Sequence, residues 1–396
     1  MIRTKAGTNI GGAGEHNRRV VMHGLRVNGA MTRAQIARGT GLVPQTVSNI
    51  IDDLEREGLV AASDPVKGRR GQPATPYSLA PNGAFSYGLQ IDQHRARVVA
   101  IDLLGHVVAR AEAAFAPGGL QANLDHVRRA LAQVATDLST HAANPAPRLL
   151  GLGLAMPAPT GVHRCDGDPW MTGLADDHPL LHWLARHTGL PVRLHHDASA
   201  AAIAERLRGS AKGIDNFVLI FVGYGLGAGL YVNGEPYRGH HRLSGELGQV
   251  TVPGPTGTCA LERLAALIGL LDRLGLQPNQ PDLFQRIELA MRNRDPDIRD
   301  WLDEAAGHLI WAIDLIDCLF DPECVIIGGQ MPAQLMDLLM EAILTRQPNA
   351  PADAVNQGRQ IVRGSADPFF VAIGAAADPI ARAFDPSFSA MMKSPA

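Results

Sequence analysis

Apolar positions in the first eighty residues fall at helical spacing in three short runs. Val20, Val21 and Leu25 share one face of a helix predicted over 17–28 and stopped by Gly29. Thr32 can cap a second helix over 33–38, with Ile36 and Ala37 inward. After the turn Gly39-Thr40-Gly41-Leu42, Pro44 suits the first turn of a third helix. Val47, Ile50, Ile51 and Leu54 give that helix one buried stripe, Gln45, Thr46, Ser48, Asn49 and Asp52 stand on the opposite face, and Gly58 closes it. Strands over 59–62 and 75–79 follow, separated by the basic tip Lys67-Gly68-Arg69-Arg70-Gly71-Gln72-Pro73. Residues 1–14 are polar and glycine-rich and read as a disordered N-terminus.

From about Phe85 the texture changes. Short apolar strand signals (87–91, 97–103, 106–111, 149–156, 191–195, 217–222, 229–232, 324–327) alternate with helical stretches (122–141, 178–188, 198–208, 260–274, 298–320, 332–346). That alternation is the mark of an α/β fold. The segments YGLQIDQHRARVVAIDLLGHVV and VLIFVGYGLGAGLYVNGEPYRG both read as a strand, a turn and a returning strand, which suggests two similar halves.

Composition sharpens the division. A chain of 396 residues suits two or three domains, and 46% hydrophobic residues support a large core. The net charge of −3 hides an asymmetry: residues 1–80 carry eleven Lys/Arg against six Asp/Glu, the rest twenty-five against thirty-three. A basic module on an acidic body suggests a nucleic-acid partner for the first module only. Cys165, Cys259, Cys318 and Cys324 are too scattered for a disulfide framework or a zinc ribbon. There is no signal-peptide core and no apolar run of membrane-spanning length, so a cytoplasmic chain without a membrane partner is expected.

Two short helices, a glycine turn and a third helix match a helix-turn-helix, and the hairpin after it reads as a wing. The third helix then enters the major groove, where Gln45 and Asn49 can read adenine and Thr46 and Ser48 are adaptable donors and acceptors. Arg69 and Arg70 suit phosphate or a narrow minor groove. A plain three-helix packing module with a basic loop would show the same residues.

The segments NRRVVMHGLRVNGAMTRAQIARGTGLVPQTVSNIIDDLEREGLV and GRRGQPATPYSL resemble the N-terminus of regulators in the ROK family (repressor, open reading frame, kinase). The resemblance extends over nearly the whole chain. It implies a winged helix-turn-helix over 15–80 and a duplicated actin-like, sugar-kinase-type domain. The first lobe would span 81–205 and the second 206–396, with the C-terminal helix able to pack back on the first lobe.

Residue by residue, the resemblance implies a sugar site and a damaged nucleotide site. ROK kinases open the first lobe with Asp-x-Gly-Gly-Thr, where this chain has Asp92-Gln93-His94-Arg95-Ala96, so ATP binding is expected to be lost. The second glycine loop keeps Gly223, Gly225, Gly227 and Gly229, an alternation that tight strand turning explains equally well. LPVRLHHDASAAAIAE places Asp197 on the family's general base and His196 on its usual Asn; a helix cap is a further reading of Asp197. RGHHRLSGELGQV places Glu246 on the sugar-contacting glutamate and Gln249 on a His that also ligates zinc. Of the family's zinc cysteines only Cys259 remains, so zinc is expected to be absent. GDPWMTGLADDHPLLHWL places Trp170 in the sugar-lid segment, where a core Trp is an equal reading, with Asp166 or Asp168 in the polar role, and DPECVIIGGQM resembles the adenosine-side turn, with Gln330 in place of a small residue.

Together these readings predict a transcriptional regulator responsive to a small sugar or sugar derivative, acting as a repressor and as a homodimer or higher homo-oligomer on double-stranded operator DNA, with its degenerate kinase domain as ligand sensor. An active ROK sugar kinase that carries a DNA-binding domain is the alternative.

Overall fold

The computed structural model describes residues 10–64, 74–116, 118–142, 144–157, 178–254, 257–278, 280, 282–346 and 360–386, with side chains from Ala13 onward. The N-terminal part holds α1 (Ile10–Asn28), β1 (Met31–Thr32), α2 (Arg33–Thr40), α3 (Pro44–Arg56), β2 (Val60–Ala62) and β3 (Pro76–Leu79). Thr32 forms a capping box with Gln35 at the start of α2, and Gly41, at φ 70°, ends that helix in the left-handed region. The strands pair in the order β1-β3-β2, with Val60 opposite Leu79. This is a winged helix-turn-helix. Helix α1 begins at Ile10, inside the segment expected to be disordered. Once a helix is nucleated each added glycine costs only about 1 kcal/mol, and no proline stops it there.

The body has two lobes. The first comprises β4 (Phe85–Ile91), β5 (Arg95–Asp102), β6 (Val107–Ala114), α4 (Gly119–Ala122), α5 (Leu124–His141), β7 (Leu149–Met156), α6 (Pro179–Thr188), β8 (Val192–His196) and α7 (Asp197–Arg208). The second opens with β9 (Phe217–Val222), β10 (Leu226–Val232), β11 (Glu235–Tyr237), β12 (Thr251–Gly254) and β13 (Gly257–Ala260). It continues with α8 (Glu262–Ala265), α9 (Leu267–Leu274), α10 (Leu283–Arg292), α11 (Pro296–Phe320), β14 (Cys324–Gly329), α12 (Ala333–Arg346), β15 (Gln360–Arg363) and α13 (Phe370–Phe384). The two five-stranded sheets repeat one plan, β6-β5-β4-β7-β8 and β11-β10-β9-β14-β15, an antiparallel meander extended by two parallel strands. The duplication expected from the paired strand-turn-strand segments is thus real. The helix expected over 260–274 is two helices, broken at Ala266, where ψ reaches 171°.

An alanine-rich layer joins the lobes. Ala198, Ala200, Ala201 and Ala202 of α7 pack with Phe217, Leu219 and Ile326 of the second sheet and with Val371 and Ala375 of α13. Helix α13 is the last element among the described residues yet packs against α7, β4 and β7. Gly88 and Gly153 make this possible, because a Cβ at either would collide with the carbonyl oxygen of Ala372 or Ala375. Gly374 does the same toward the carbonyl of Ala200. The winged helix shares its core with the first lobe: Val21, Met22 and Leu25 belong to one cluster with Ile101, Ile373 and Ile380. Polar ties reinforce the join. Arg18 donates to both oxygens of Glu57 at 2.6 Å, Arg148 donates to Glu57 at 3.3 Å, and Arg26 reaches Asp385 at 3.2 Å.

Gly374→Ala should therefore separate α13 from α7 and lower stability by about 1–3 kcal/mol, the usual range for overpacking. Denaturant unfolding measures this, and an unchanged midpoint would contradict the close packing.

Candidate functional site

The turns at the C-terminal ends of β8, β9 and β14, with the β4–β5 turn, surround a cleft of about 410 Å³ between the lobes. Ligand sites in α/β sheets gather at such strand ends. Asp197, His196, Glu246 and Gln249 all line this cleft. Asp168, Trp170 and the wing residues Arg69 and Arg70 lie outside the described residues.

Asp197 is the first residue of α7, with His196 at the N-cap, so it is not the helix cap. Its Oδ1 accepts a hydrogen bond from the backbone N–H of Ala198 at 2.7 Å. Asp197 keeps some contact with the cleft, but the atoms packed around it, with Glu246 and Asp92 nearby, raise its carboxyl from 3.8 to about 7. Burial, with His195 adjacent, lowers His196 to about 4. A neutral imidazole therefore approaches Glu246, Nδ1 to Oε1 at 3.5 Å, and the contact is not an ion pair. Gln249 donates from Nε2 to Oε1 of the buried Glu262 at 3.0 Å. Two acidic groups side by side, one held near neutrality, suit hydrogen bonding to hydroxyls or abstraction of a hydroxyl proton.

The phosphate side differs. Asp92 Oδ1 accepts from the backbone N–H groups of His94 at 2.7 Å and Arg95 at 3.0 Å. Its other oxygen faces Arg97 at 3.4 Å, and Arg97 donates to Glu112 at 2.7 Å. The turn thus closes on its own carboxylate. On the opposite lobe Gly223 N–H donates to Gly225 C=O, and the carbonyls of Gly223 and Tyr224 accept from Leu267 and Ile268, the first N–H groups of α9. That contact accounts for the break at Ala266. The glycine alternation has two causes. Gly223, Gly225 and Gly227 line the cleft, and Cβ atoms at Gly227 and Gly229 would press on Ala198 and Ala202 of α7.

Behind Asp197 lies a charged cluster that the sequence reading missed. His195, buried beside His196, has Nε2 3.6 Å from Asp378 of α13, and Arg238 of the second lobe lies 3.3 Å from both His195 Nδ1 and Asp378. Burial alone raises Asp378, but His195 and Arg382 hold its carboxyl well below the usual range. Only Arg382, one helical turn on, marks Asp378 locally; His195 and Arg238 come from distant segments. The Arg97–Glu112 pair was within reach, because the two face each other across the hairpin that the sequence predicted.

On the winged helix, Gln45 and Asn49 are exposed on α3, and Gln45 Nε2 donates to Asn49 Oδ1 at 2.9 Å; Thr46 and Ser48 are half-buried beside them. Asp52 is taken by Arg33 at 2.5 Å. Val43, unremarked in the sequence, stands 63% exposed at the head of α3, where it could meet a thymine methyl. No helix among the described residues is long and apolar enough to cross a membrane.

Known proteins share this architecture. Residues 87–377 match the ROK family and residues 19–71 the MarR family. The Sinorhizobium fredii protein y4fQ is 24% identical over 380 residues, covering 93% of this chain and 91% of its own. The xylose repressor of Bacillus spizizenii is 24% identical, covering 80% of this chain and 82% of the repressor. The bifunctional enzyme NanE/NanK of Brucella suis is 32% identical over 188 residues, 46% of this chain but only 35% of that enzyme. A solved ROK family transcriptional regulator, described as a homolog of the E. coli MLC protein, shares the fold with a TM-score of 0.68 at 21% identity, covering 96% of this chain and 98% of its own.

The raised Asp197 carboxyl has a consequence for stability. A group whose folded pKa exceeds its unfolded value stabilises the fold at low pH and loses that contribution as pH rises from about 4 through 7. Asp197→Asn removes the buried charge, so it should stabilise the protein above pH 7 by up to about 4 kcal/mol and have little effect of this origin near pH 4. Unfolding midpoints across that range test this, and a pH-independent difference would contradict the raised carboxyl.

Proposed function

Because the chain belongs to the ROK family, we propose that it is a sugar-responsive transcriptional regulator whose kinase-like cleft serves as a ligand sensor. The observation that carries this reading is the closed Asp92 turn. The N–H groups that would meet a phosphate already donate to Asp92, while Asp197 and Glu246 remain in the cleft. The residues present do not fit a nucleoside triphosphate. They do not fit zinc either: Cys259 is the one thiol of the β12–β13 hairpin, and Gln249 spends its amide on Glu262. The winged helix supplies the DNA partner, and the likeness to xylose repressors supports repression. Two-fold operators suit a homodimer. A sugar kinase that also binds DNA is the second reading, favoured by one fact: a carboxyl near 7 is what a general base needs.

The DNA interface and the cleft are tested separately, and the assay on the cleft separates the two readings. Replacing Arg69 and Arg70 together by Ala should weaken operator binding across sequences and flatten its salt dependence, whereas Gln45→Ala with Asn49→Ala should relax base preference. Unaltered affinity and salt slope in the first pair would remove the wing from the interface. For the cleft, a coupled ATP assay over common hexoses, pentoses and N-acetylated amino sugars should show no turnover; rates of roughly 1–100 per second would establish the kinase instead. Asp197→Ala and Glu246→Ala should abolish the sugar effect on operator binding while leaving sugar-free binding intact.

A further inference from the structure

The two ends of the cleft carry different chemistry. Asp197, His196 and Glu246 stand at one end; Gln330, Gln280 and Phe284 belong to the other, where β14 ends and α10 begins. Gln330 Nε2 and Gln280 Oε1 are buried and have no hydrogen-bond partner among the described residues. Buried amides are nearly always partnered. A donor and an acceptor left open in one cleft therefore mark where a ligand brings polar groups of its own. Phe284 lines the same space and is 39% exposed, an aromatic surface of the kind that receives the C–H face of a sugar ring.

The separation of the two ends sets the ligand's length. Gly227 of β10 abuts Ala198, next to Asp197. Strand β14, which leads to Gln330, lies two places from β10 across β9. At 4.7–4.9 Å per strand the offset is about 10 Å, longer than one pyranose ring. Charge sets its character. Among the described lining residues carboxylates outnumber guanidiniums seven to two, and the N–H groups of His94, Arg95 and Gly223 are already spent on acceptors of the protein itself.

We propose that the amide end is a second sugar subsite, so that the effector is a neutral disaccharide or glycoside. Its first unit lies on Asp197 and Glu246, and its second is held by Gln280 and Gln330 against Phe284. This rests on the sensor reading above and adds the size and charge of the ligand.

Calorimetric titration of the full chain with paired probes tests it: xylose and xylobiose, glucose with cellobiose and maltose, N-acetylglucosamine and N,N′-diacetylchitobiose. At least one disaccharide should bind about tenfold or more tighter than its monomer. Gln330→Leu and Gln280→Leu should remove that advantage and leave the monomer's affinity unchanged. Phe284→Ala, at an exposed position, should weaken the disaccharide alone and serves if a buried variant fails to fold. Equal affinity for monomer and disaccharide, or an advantage that survives all three variants, overturns the second subsite. Binding of AMP-PNP with magnesium that the same variants abolish reassigns the amides to a nucleotide and overturns it too. No binding of any sugar instead overturns the sensor reading beneath it.

Discussion

The near-contact of two helix backbones, α7 and α13, is the constraint on which the rest of this structure depends. Both helices are rich in alanine, and Gly374 meets the carbonyl of Ala200 with no side chain between them. Gly88 and Gly153 open the first sheet to the same helix. Interiors this dense have little room to adjust, so a shift of one element is passed to its neighbour. The packing holds Asp197 at the head of α7, facing the cleft. It also brings Asp378 of α13 against His195 and Arg238, while Phe370 and Val371 of the same helix line the cleft beside residues far upstream.

Much of the fold was legible because local pattern and tertiary demand agreed. The stripe Val47, Ile51 and Leu54 is fully buried, and both wing strands formed where alternation placed them. Ile50 of the same stripe is only partly covered, since it lies toward the edge of the helix face. What was not legible depended on distant partners. The break at Ala266 follows from a loop more than forty residues upstream that takes the first N–H groups of α9. Gly229 looks like a phosphate-loop glycine in sequence, but Ala198 and Ala202 of α7 give it a packing role. Asp378 sits in an apolar helix with Arg382 as its local partner, but its link to the site comes from His195 and Arg238.

The Asp92 turn at the cleft closes on its own carboxylate. A turn rich in glycine offers its N–H groups to an anion from outside. Here Asp92 supplies the anion from within: its carboxylate takes two of the turn's N–H groups and is steadied by Arg97, which Glu112 in turn holds. The turn needs no positive φ anywhere from Asp92 to Arg95, so ordinary side chains such as Gln93 and His94 are tolerated. The N–H groups of His94 and Arg95 are satisfied within the turn, and the cleft beside them is lined by more carboxylates than guanidiniums. Asp197 and Glu246 in the same cleft are groups to which a hydroxyl can donate.

A ligand in this cleft can change DNA affinity only by binding one arrangement of the molecule better than another. Geometry identifies the element that such a preference must move. Helix α13 lines the cleft with Phe370 and Val371, and Asp385, which caps its C-terminal end, pairs with Arg26 of α1. Ile373, Ala377 and Ile380 share a core with Val21, Met22 and Leu25 of α1. The exposed Arg26–Asp385 pair contributes little by itself; the apolar contact is the firm connection, because sliding it would open cavities at a cost of several kcal/mol. The Arg18–Glu57–Arg148 ties hold the other side of the winged helix to the first lobe. The winged helix is therefore clamped at two places to the lobe whose helices border the cleft. A lobe movement large enough to disturb Arg238 against Asp378 reaches α1 through one rigid helix, with no flexible linker in between to absorb it.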